Sequence, residues 1–294
     1  EAMGAHRGGV DPSVHGVAGA VAGQVSTLVL YPLDQARFFM QVSRGQGPPG
    51  ASWRCGSTLT VLQDIARQQG LRGVYQGICP MLVTVGISQG IYFWVYEALQ
   101  SWSALTVLVS SLMRVLPLTL NNLVVALLAS ITTVFLTNPL WVAAMHLKSP
   151  PPLAKQGKRR GSPLLSVFAM AAEIAEADGA AALWKGLGPS LWLCAAPTLN
   201  FVAYEAMKSV VLEWDDHAKH PSGVEAFFMG AIAKGVSTIA TYPLQVAQTN
   251  LRILKKQGRS GTARSVLKEL MAARGLPGLF AGFEAKIMQT LLNG

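Results

Sequence analysis

Long apolar stretches recur along the chain, separated by shorter polar or amphipathic segments. Five of them are long enough to cross a bilayer, which takes about 20 mainly apolar residues. They cover residues 14–40, 78–99, 118–147, 187–211 and 224–251. Small residues at four-residue spacing, such as Gly19 and Gly23, allow helices to approach closely in lipid. A soluble core helix could carry one such pattern, but five in one chain predict a polytopic membrane protein.

Three other segments mix apolar and charged residues at helical spacing, as helices that lie on a membrane surface do. These segments cover residues 54–68, 163–177 and 261–273. The stretch 150–163 is rich in proline and basic residues and is therefore predicted to be a solvated loop.

Two motifs occur three times in the same order, which indicates an internal repeat. A Pro-Leu pair near the end of an apolar stretch stands at Pro32, Pro139 and Pro243, which are 107 and then 104 residues apart. Downstream in each copy, a glycine is followed by an aromatic residue after five positions and by a second glycine after seven. These blocks are Gly70-Tyr75-Gly77, Gly179-Trp184-Gly186 and Gly275-Phe280-Gly282. Each copy predicts a long helix kinked at its proline, a surface helix and a second spanning helix.

The predicted fold is an all-α membrane protein with three tandem repeats of two transmembrane helices plus a short surface helix, in a pseudo-threefold six-helix bundle. A tail at 1–13 precedes repeats at 14–103, 104–213 and 214–294. About 12 residues remain from Phe283 onward, which is roughly 18 Å of helix against a hydrocarbon layer of about 30 Å. We therefore expect an incomplete third repeat with a truncated sixth helix, as in a fragment or isoform.

Composition agrees with a membrane protein, since 51% of the residues are hydrophobic and only 13% are charged, about half the usual charged fraction. The net charge of +9 suits anionic lipids or anionic solutes. Nucleic acid is not expected as a partner, because no base-reading motif is present.

Catalytic and metal-binding patterns are also missing from the sequence. It has no glycine-rich phosphate loop after a strand, no nucleophile elbow and no cluster of metal ligands, so we predict neither an enzyme nor a metal site. The three cysteines, Cys55, Cys79 and Cys194, stand in separate segments without C-x-x-C spacing. We expect them to be small packing residues.

The repeated motifs resemble those of the mitochondrial carrier family, P-x-[DE]-x-x-[KR] followed by [DE]-G-x4-[WYF]-[KR]-G. The resemblance covers residues 14–294. The first repeat matches the first motif fully, with Pro32, Asp34 and Arg37. The second repeat matches the later motif fully, with Asp178, Gly179, Trp184, Lys185 and Gly186.

In that family, charged pairs on the proline-containing helices close a gate on the matrix side. The resemblance places five residues of this chain at that gate: Asp34, Arg37, Trp141, Gln245 and Gln248. Trp141 and Ala144 replace one ion pair of the motif, and two glutamines replace the other. We therefore expect only Asp34 and Arg37 to remain as gate charges, supported by the amides of Gln245 and Gln248. Such a gate would be weaker and less sensitive to salt.

The opposite gate of the family uses [YF]-[DE]-x-x-[KR]. The second and fourth spans offer Glu97 with Gln100, after Tyr96, and Glu205 with Lys208, after Tyr204. These four residues are the predicted cytosolic-side gate. The alternative for each is a solvated charge or amide at a helix end.

Family substrate contacts lie seven residues after the final glycine of each block. This carries over to Thr84, to Leu193 with its neighbour Trp192, and to Gln289. Trp192 and Leu193 could stack on a base, or pack against lipid or another helix, whereas Thr84 and Gln289 could hydrogen-bond a base or ribose.

Three more residues are candidates for solute binding. Lys234 lies in an apolar span, where an ammonium is costly and marks a pathway or an ion partner, so we assign it to phosphates or to an internal pair. Lys286 could serve either role, and Asn200 could reach the cavity or bridge helices. His146 and Arg252, beyond the prolines, are expected to meet lipid head groups or solute at the exit, and we favour the head groups.

Within the family, the departures resemble the peroxisomal adenine nucleotide carriers. The shared stretches are Pro-Leu-Trp at 139–141, Tyr-Pro-Leu-Gln-x-x-Gln at 242–248, Gly-Ala-Ile-Ala-Lys at 230–234 and Phe-Glu-Ala-Lys-x-x-Gln-Thr at 283–290. The resemblance implies a monomeric antiporter of the peroxisomal membrane. It would exchange ATP, AMP, CoA, NAD or FAD as substrates by alternating access, without a bound cofactor.

Two alternatives remain open at this point. Folate, FAD and pyrimidine-nucleotide carriers of the mitochondrial inner membrane share the Pro-x-Trp and Pro-x-Gln features, but they usually keep a basic residue where this chain has Gln248. A channel or a membrane fragment without transport activity would also contain these helices.

Overall fold

The computed structural model describes residues 12–42, 57–101, 118–149, 162–214, 223–253 and 261–292. Every regular element in these ranges is helical, so the all-α prediction is confirmed for them. In chain order they are α1 (Pro12–Val42), α2 (Thr58–Val74), α3 (Ile78–Ser101), α4 (Leu118–Lys148), α5 (Pro163–Asp178), a 3-10 helix (Ala180–Trp184), α6 (Leu187–Leu193), α7 (Ala196–Trp214), α8 (Gly223–Ile253), α9 (Ala263–Leu279) and α10 (Phe283–Leu292). Most of the predicted tail 1–13 and of the basic loop, together with Cys55, lies outside the described residues.

Three helices correspond to the predicted surface segments: α2, α5 and α9. Helix α5 begins where the Ser162 hydroxyl accepts a hydrogen bond from a backbone N–H of the first turn, and Pro163 occupies that turn. Its buried residues, Val167, Met170 and Ile174, recur at helical spacing on one face. The three segments are helical, and the layout of two spanning helices with one surface helix in each repeat remains a prediction.

Three of the described helices are long and apolar enough to cross a membrane: Ile78–Ser101, Val124–Lys148 and Val224–Ile253. Their outer surfaces expose large apolar side chains, including Phe93, Trp94, Phe135, Phe227 and Phe228. A surface of this kind favours contact with lipid chains over contact with water.

The predicted span 187–211 is divided into α6 and α7 at Cys194 and Ala195. Pro197 explains the break, because it has no backbone N–H and its ring would clash with the carbonyl group of Leu193 in a continuous helix. The pattern of apolar residues does not reveal such an interruption.

The repeated prolines lie inside three helices of equal length. Pro32, Pro139 and Pro243 stand within α1, α4 and α8, which are 31 residues long each. The three helices continue past their prolines, and the kinks remain a prediction.

The residue before each proline is hydrogen-bonded to the glycine block of its own repeat. The acceptor is each time the carbonyl group just before the final glycine: Tyr31 hydroxyl to Gln76 at 2.6 Å, Asn138 amide to Lys185 at 3.4 Å and Tyr242 hydroxyl to Ala281 at 2.8 Å. Tyr31 and Tyr242 also stack on the aromatic residues of the blocks, with ring centroids 6.0 Å apart. These contacts explain why the two motifs occur together in every repeat.

The final glycine of each block packs against the proline-containing helix of the next repeat. Gly77, Gly186 and Gly282 have φ between +75° and +79°. A Cβ atom would lie 2.7 Å from Lys148 Cα at Gly77, 3.1 Å from Arg252 Cγ at Gly186 and 3.1 Å from Arg37 Cα at Gly282. The first repeat thus contacts the second, the second contacts the third, and the third returns to the first.

Candidate functional site

A cavity of about 620 Å³ lies between the repeats. Residues of α1, α3, α4, α8 and α10 line it, together with the break between α6 and α7. All five residues predicted for the matrix-side gate are among the lining residues: Asp34, Arg37, Trp141, Gln245 and Gln248. The pseudo-threefold pattern of the sequence therefore brings these five side chains to one place.

An ion pair links α1 to α4 at the end of the cavity. The ammonium group of Lys148 contacts the carboxylate of Asp34 and also donates to the Asp34 carbonyl oxygen, at 3.4 Å. The same ammonium lies 4.9 Å from the ring centre of Tyr31 and 5.1 Å from that of Phe38. Aromatic faces attract a cation at such distances, so Lys148 is held on several sides.

A second link joins α8 to α1. Arg37 Nη2 donates to Gln245 Oε1 at 2.6 Å, and the guanidinium lies 5.4 Å from the ring centre of Tyr242. Gln245 Nε2 donates to Thr241 Oγ1 at 3.1 Å, which leaves its oxygen atom facing Arg37. Gln245 thus accepts a hydrogen bond from Arg37, and its contribution to a gate remains a prediction.

A third link joins α8 to α4. Arg252 Nη2 donates to Asn138 Oδ1 at 3.4 Å and to Ser190 Oγ at 3.2 Å, and its guanidinium lies 5.5 Å from the ring centre of Trp141. Gln248 Nε2 donates to Ser190 Oγ at 2.7 Å. Gln248 therefore hydrogen-bonds to Ser190. The sequence motifs predict instead that its amide supports Asp34 and Arg37.

The sequence motifs predict only Asp34 and Arg37 as charges at this gate, whereas the structure places two more cations, Lys148 and Arg252, in the same cavity lining. Lys148 and Arg252 stand four residues after Ala144 and Gln248, the positions where the motif has its basic residue. Residues four apart share one face of a helix, so a cation one turn further along can reach the same neighbours. The motif pattern missed these two residues, although the spacing of four was present in the sequence.

The predicted substrate contacts fall into two groups. Leu193 and Gln289 line the cavity. Thr84 is buried and its hydroxyl donates at 2.9 Å to a carbonyl one turn back in α3, whereas Trp192 is 74% exposed and stands apart from the cavity lining. Asn200 is half-buried, and its Oδ1 atom has no hydrogen-bond partner among the described residues.

The two predicted phosphate-binding lysines lie near each other. Lys286 on α10 interacts electrostatically with Arg37, Asp34 and Lys234, and Lys234 on α8 is exposed. Neither lysine is among the described lining residues of the cavity. In the described ranges, no group of three or more His, Cys, Asp or Glu side chains is placed to hold a metal ion.

The predicted cytosolic-side gate residues form contacts within single helices. Gln100 Nε2 donates to the Tyr96 hydroxyl at 2.9 Å on α3, and Lys208 pairs with Glu205 at 3.5 Å on α7. Glu97 is exposed. Gln100 lies at the end of α3 that is far from Gly77, and Gly77 packs against Lys148. The contacts between α1, α4 and α8 described above are therefore at the opposite end of the bundle.

Comparison with known protein families shows to which family the chain belongs. The sequence pattern described as mitochondrial carrier protein matches residues 9–105, 117–214 and 219–294. The chain belongs to the mitochondrial carrier family. Each matched segment contains one proline motif and one glycine block, so the tripartite repeat is confirmed.

Several named membrane proteins and transporters are similar along nearly the whole chain. "Peroxisomal membrane protein PMP34" of Mus musculus is 32% identical over 294 residues, which cover 95% of this chain and 88% of the mouse protein. The "Peroxisomal nicotinamide adenine dinucleotide carrier" of Arabidopsis thaliana is 27% identical over 310 residues, 96% of this chain and 92% of the plant protein. "Nicotinamide adenine dinucleotide transporter 2, mitochondrial", also of Arabidopsis thaliana, is 29% identical over 283 residues, with coverage of 93% and 73%.

These relatives confirm the resemblance to peroxisomal nucleotide carriers and the prediction of a transporter rather than an enzyme. The predicted location, a multi-pass protein of the peroxisomal membrane, agrees with the names of the first two relatives. This carrier therefore moves a solute across a membrane.

Proposed function

We propose that this carrier exchanges nucleotides or nucleotide cofactors, such as ATP, AMP, CoA, NAD or FAD, across the peroxisomal membrane by alternating access. The charge of the cavity is the observation that carries the proposal. Arg37, Lys148 and Arg252 line it, and Asp34 is the carboxylate among the described lining residues. Such an excess of cations in a low-dielectric site attracts anionic solutes. The volume of about 620 Å³ is in the usual range for ligand sites.

The contacts at the two ends of the bundle support alternating access. At one end, α1, α4 and α8 are joined by the Asp34 ion pair and by the hydrogen bonds of Arg37 and Arg252. At the other end, the contacts of Gln100 and Lys208 remain within their own helices. A solute would pass when the first set separates and residues of the second set meet across helices.

Within the cavity, we propose that the base and the phosphates bind different groups. Leu193 offers an apolar surface for a base, and the Gln289 amide can hydrogen-bond its edge or the ribose. Lys286 and Lys234 are not among the described lining residues of the cavity, and their charge for phosphates remains a prediction. The roles of Thr84, Trp192 and Asn200 in binding remain predictions.

Counter-exchange in proteoliposomes tests the proposal. Labelled ATP, AMP, CoA, NAD or FAD is offered to vesicles that are either empty or loaded with the same compound. We expect uptake only into loaded vesicles. Equal uptake into empty vesicles would indicate a pore, and exchange of carboxylic or amino acids alone would refute a nucleotide substrate.

Lys234→Ala tests the predicted role of this lysine in phosphate binding. We expect this change to reduce nucleotide exchange sharply without loss of the folded protein. Lys268→Ala, at an exposed position on α9, is the matched control and should leave exchange unchanged. Full exchange by Lys234→Ala would remove Lys234 from the solute site.

A further inference from the structure

Arg252 is a buried cation whose contacts are all to neutral groups. Its side chain is 7% exposed, and its neighbours are the Asn138 amide, the Ser190 hydroxyl and the Trp141 ring. Within the described ranges no carboxylate forms an ion pair with it. A buried charge without a counter-charge is costly, above all in a membrane. A residue of this kind therefore points to an anion that arrives from outside the chain.

The guanidinium has a hydrogen-bond donor to spare. One face lies over Trp141, and Nη2 is used by Asn138 and Ser190. The Nε atom is buried and has no hydrogen-bond partner among the described residues. Because a guanidinium offers five N–H donors in a planar fork, it can still bind an oxyanion. Arg252 also lines the cavity between the repeats.

The neighbours of Arg252 are each held by a second contact. Trp141 Nε1 donates to Ser88 Oγ at 3.1 Å, which fixes the indole ring. The Ser190 hydroxyl donates to the Gly186 carbonyl oxygen at 2.6 Å, and the Asn138 amide donates to the Leu183 carbonyl oxygen at 2.8 Å. The guanidinium is therefore positioned before any ligand binds, which lowers the cost of binding.

We propose that Arg252 is an anion-binding residue of the cavity and takes a phosphate group of the solute. Lys148 differs from it, because Asp34 already neutralises that ammonium. The location inside the cavity replaces the expectation from sequence that Arg252 meets lipid head groups. The inference rests on the proposed function for the identity of the solute, whereas binding of a phosphate group is tested separately.

The test is thermal unfolding of the purified carrier in detergent, monitored by tryptophan fluorescence. It is measured without ligand and with ATP, adenosine or inorganic pyrophosphate. A ligand that binds the folded state raises its unfolding temperature. We expect Arg252→Gln to raise the ATP concentration needed for half of this effect by about tenfold to hundredfold, the range for one charge-assisted hydrogen-bonded contact. Arg252→Lys should give a smaller increase. Arg264→Gln, an exposed change on α9, should give none, and adenosine should not distinguish any variant.

Stability without ligand separates binding from a structural role. Because Arg252→Gln removes an uncompensated charge, its unfolding temperature without ligand should equal or exceed that of the wild type. Lower stability together with an unchanged response to ATP would overturn the proposal. If Arg252→Gln cannot be purified, Arg252→Lys decides: a raised ATP midpoint supports binding by the guanidinium, and an unchanged midpoint refutes it.

Two further arms identify the source of the phosphate group. Pyrophosphate could stabilise the wild type while ATP does not, and Arg252→Gln could lose this effect. That result would support phosphate binding by Arg252 and refute nucleotide exchange. Equal stabilisation of both proteins by ATP would refute Arg252 and leave the proposed function standing. Phosphatidylglycerol should affect both proteins alike, and a lipid effect confined to the wild type, with no ATP effect, would overturn binding of a solute phosphate.

Discussion

The ion pair of Asp34 and Lys148 makes a quantitative prediction about the closed end of the cavity. Lys148 is 1% exposed and Asp34 is 28% exposed. Removing one partner of a buried ion pair costs about 3–5 kcal/mol, because the other charge stays buried. Asp34→Asn leaves such an ammonium, and we expect it to cost about 3 kcal/mol. Lys148→Met leaves a carboxylate that water partly reaches, and we expect about 1–2 kcal/mol.

The double variant Asp34→Asn/Lys148→Met has neither charge and should be less destabilised than the sum of the two single variants. We expect a coupling energy of about 2 kcal/mol, which is about thirtyfold in the equilibrium constant. Unfolding by a denaturing detergent can be followed by the fluorescence of the seven tryptophans. Glu205 and Lys208 serve as the control pair, since they are 45% and 31% exposed and should couple by less than about 0.5 kcal/mol. Strictly additive losses at Asp34 and Lys148, or a coupling no larger than that of the control, would refute the pairing.

Three further changes test the packing of the repeats, each by its unfolding free energy in detergent. Gly77→Ala should cost more than about 2 kcal/mol, since it combines φ of +76° with a Cβ atom 2.7 Å from Lys148 Cα. Gly70→Ala, at φ of +66° in open surroundings, should cost only about 1 kcal/mol. Equal costs for the two variants would contradict the close approach at Gly77. Tyr31→Phe should cost about 1–2 kcal/mol through the lost hydrogen bond to a carbonyl group, and a neutral result would show that this bond is not formed. Glu284→Gln should cost about 1 kcal/mol, because its carboxylate accepts from the first N–H of α2 at 3.0 Å, and no loss would exclude that cap.

The sequence predicted the parts of this structure that repeat. Three copies of a proline motif and of a glycine block indicated three equivalent units, because accidental matches would not keep the same spacing. The structure gives the physical reason in the bonds from Tyr31 and Tyr242 to the glycine blocks. Threefold equivalence was also sufficient to bring Asp34, Arg37 and Gln245 to the same cavity.

Features that break the repeat could not be predicted in the same way. Lys148 and Arg252 lie one helical turn beyond the basic position of the proline motif, which Ala144 and Gln248 occupy in this chain. Only the packing of α1, α4 and α8 shows that these two cations contact residues of the neighbouring helices. Leu193 lines the cavity and Trp192 is at the exposed surface, because neighbouring residues of one helix point in different directions. The count of seven residues from Gly186 selects Leu193, and the extension to its neighbour Trp192 is the part that the structure does not support.

The central claim is that the joined ends of α1, α4 and α8 must separate during each exchange cycle. Gln41 and Asn250 test it, because the Asn250 amide donates to the Gln41 carbonyl oxygen at 3.1 Å between α1 and α8. Gln41→Cys/Asn250→Cys is prepared with the three native cysteines changed to serine, and exchange is measured before and after a short cleavable cross-linker. A cross-link within α7, from Glu205→Cys/Lys208→Cys, is the control.

We expect the cross-link between α1 and α8 to form and to stop nucleotide exchange, and we expect exchange to resume when the cross-linker is cleaved. The control cross-link within α7 should leave the exchange rate unchanged. A carrier that keeps its full exchange rate with α1 and α8 joined would contradict the account.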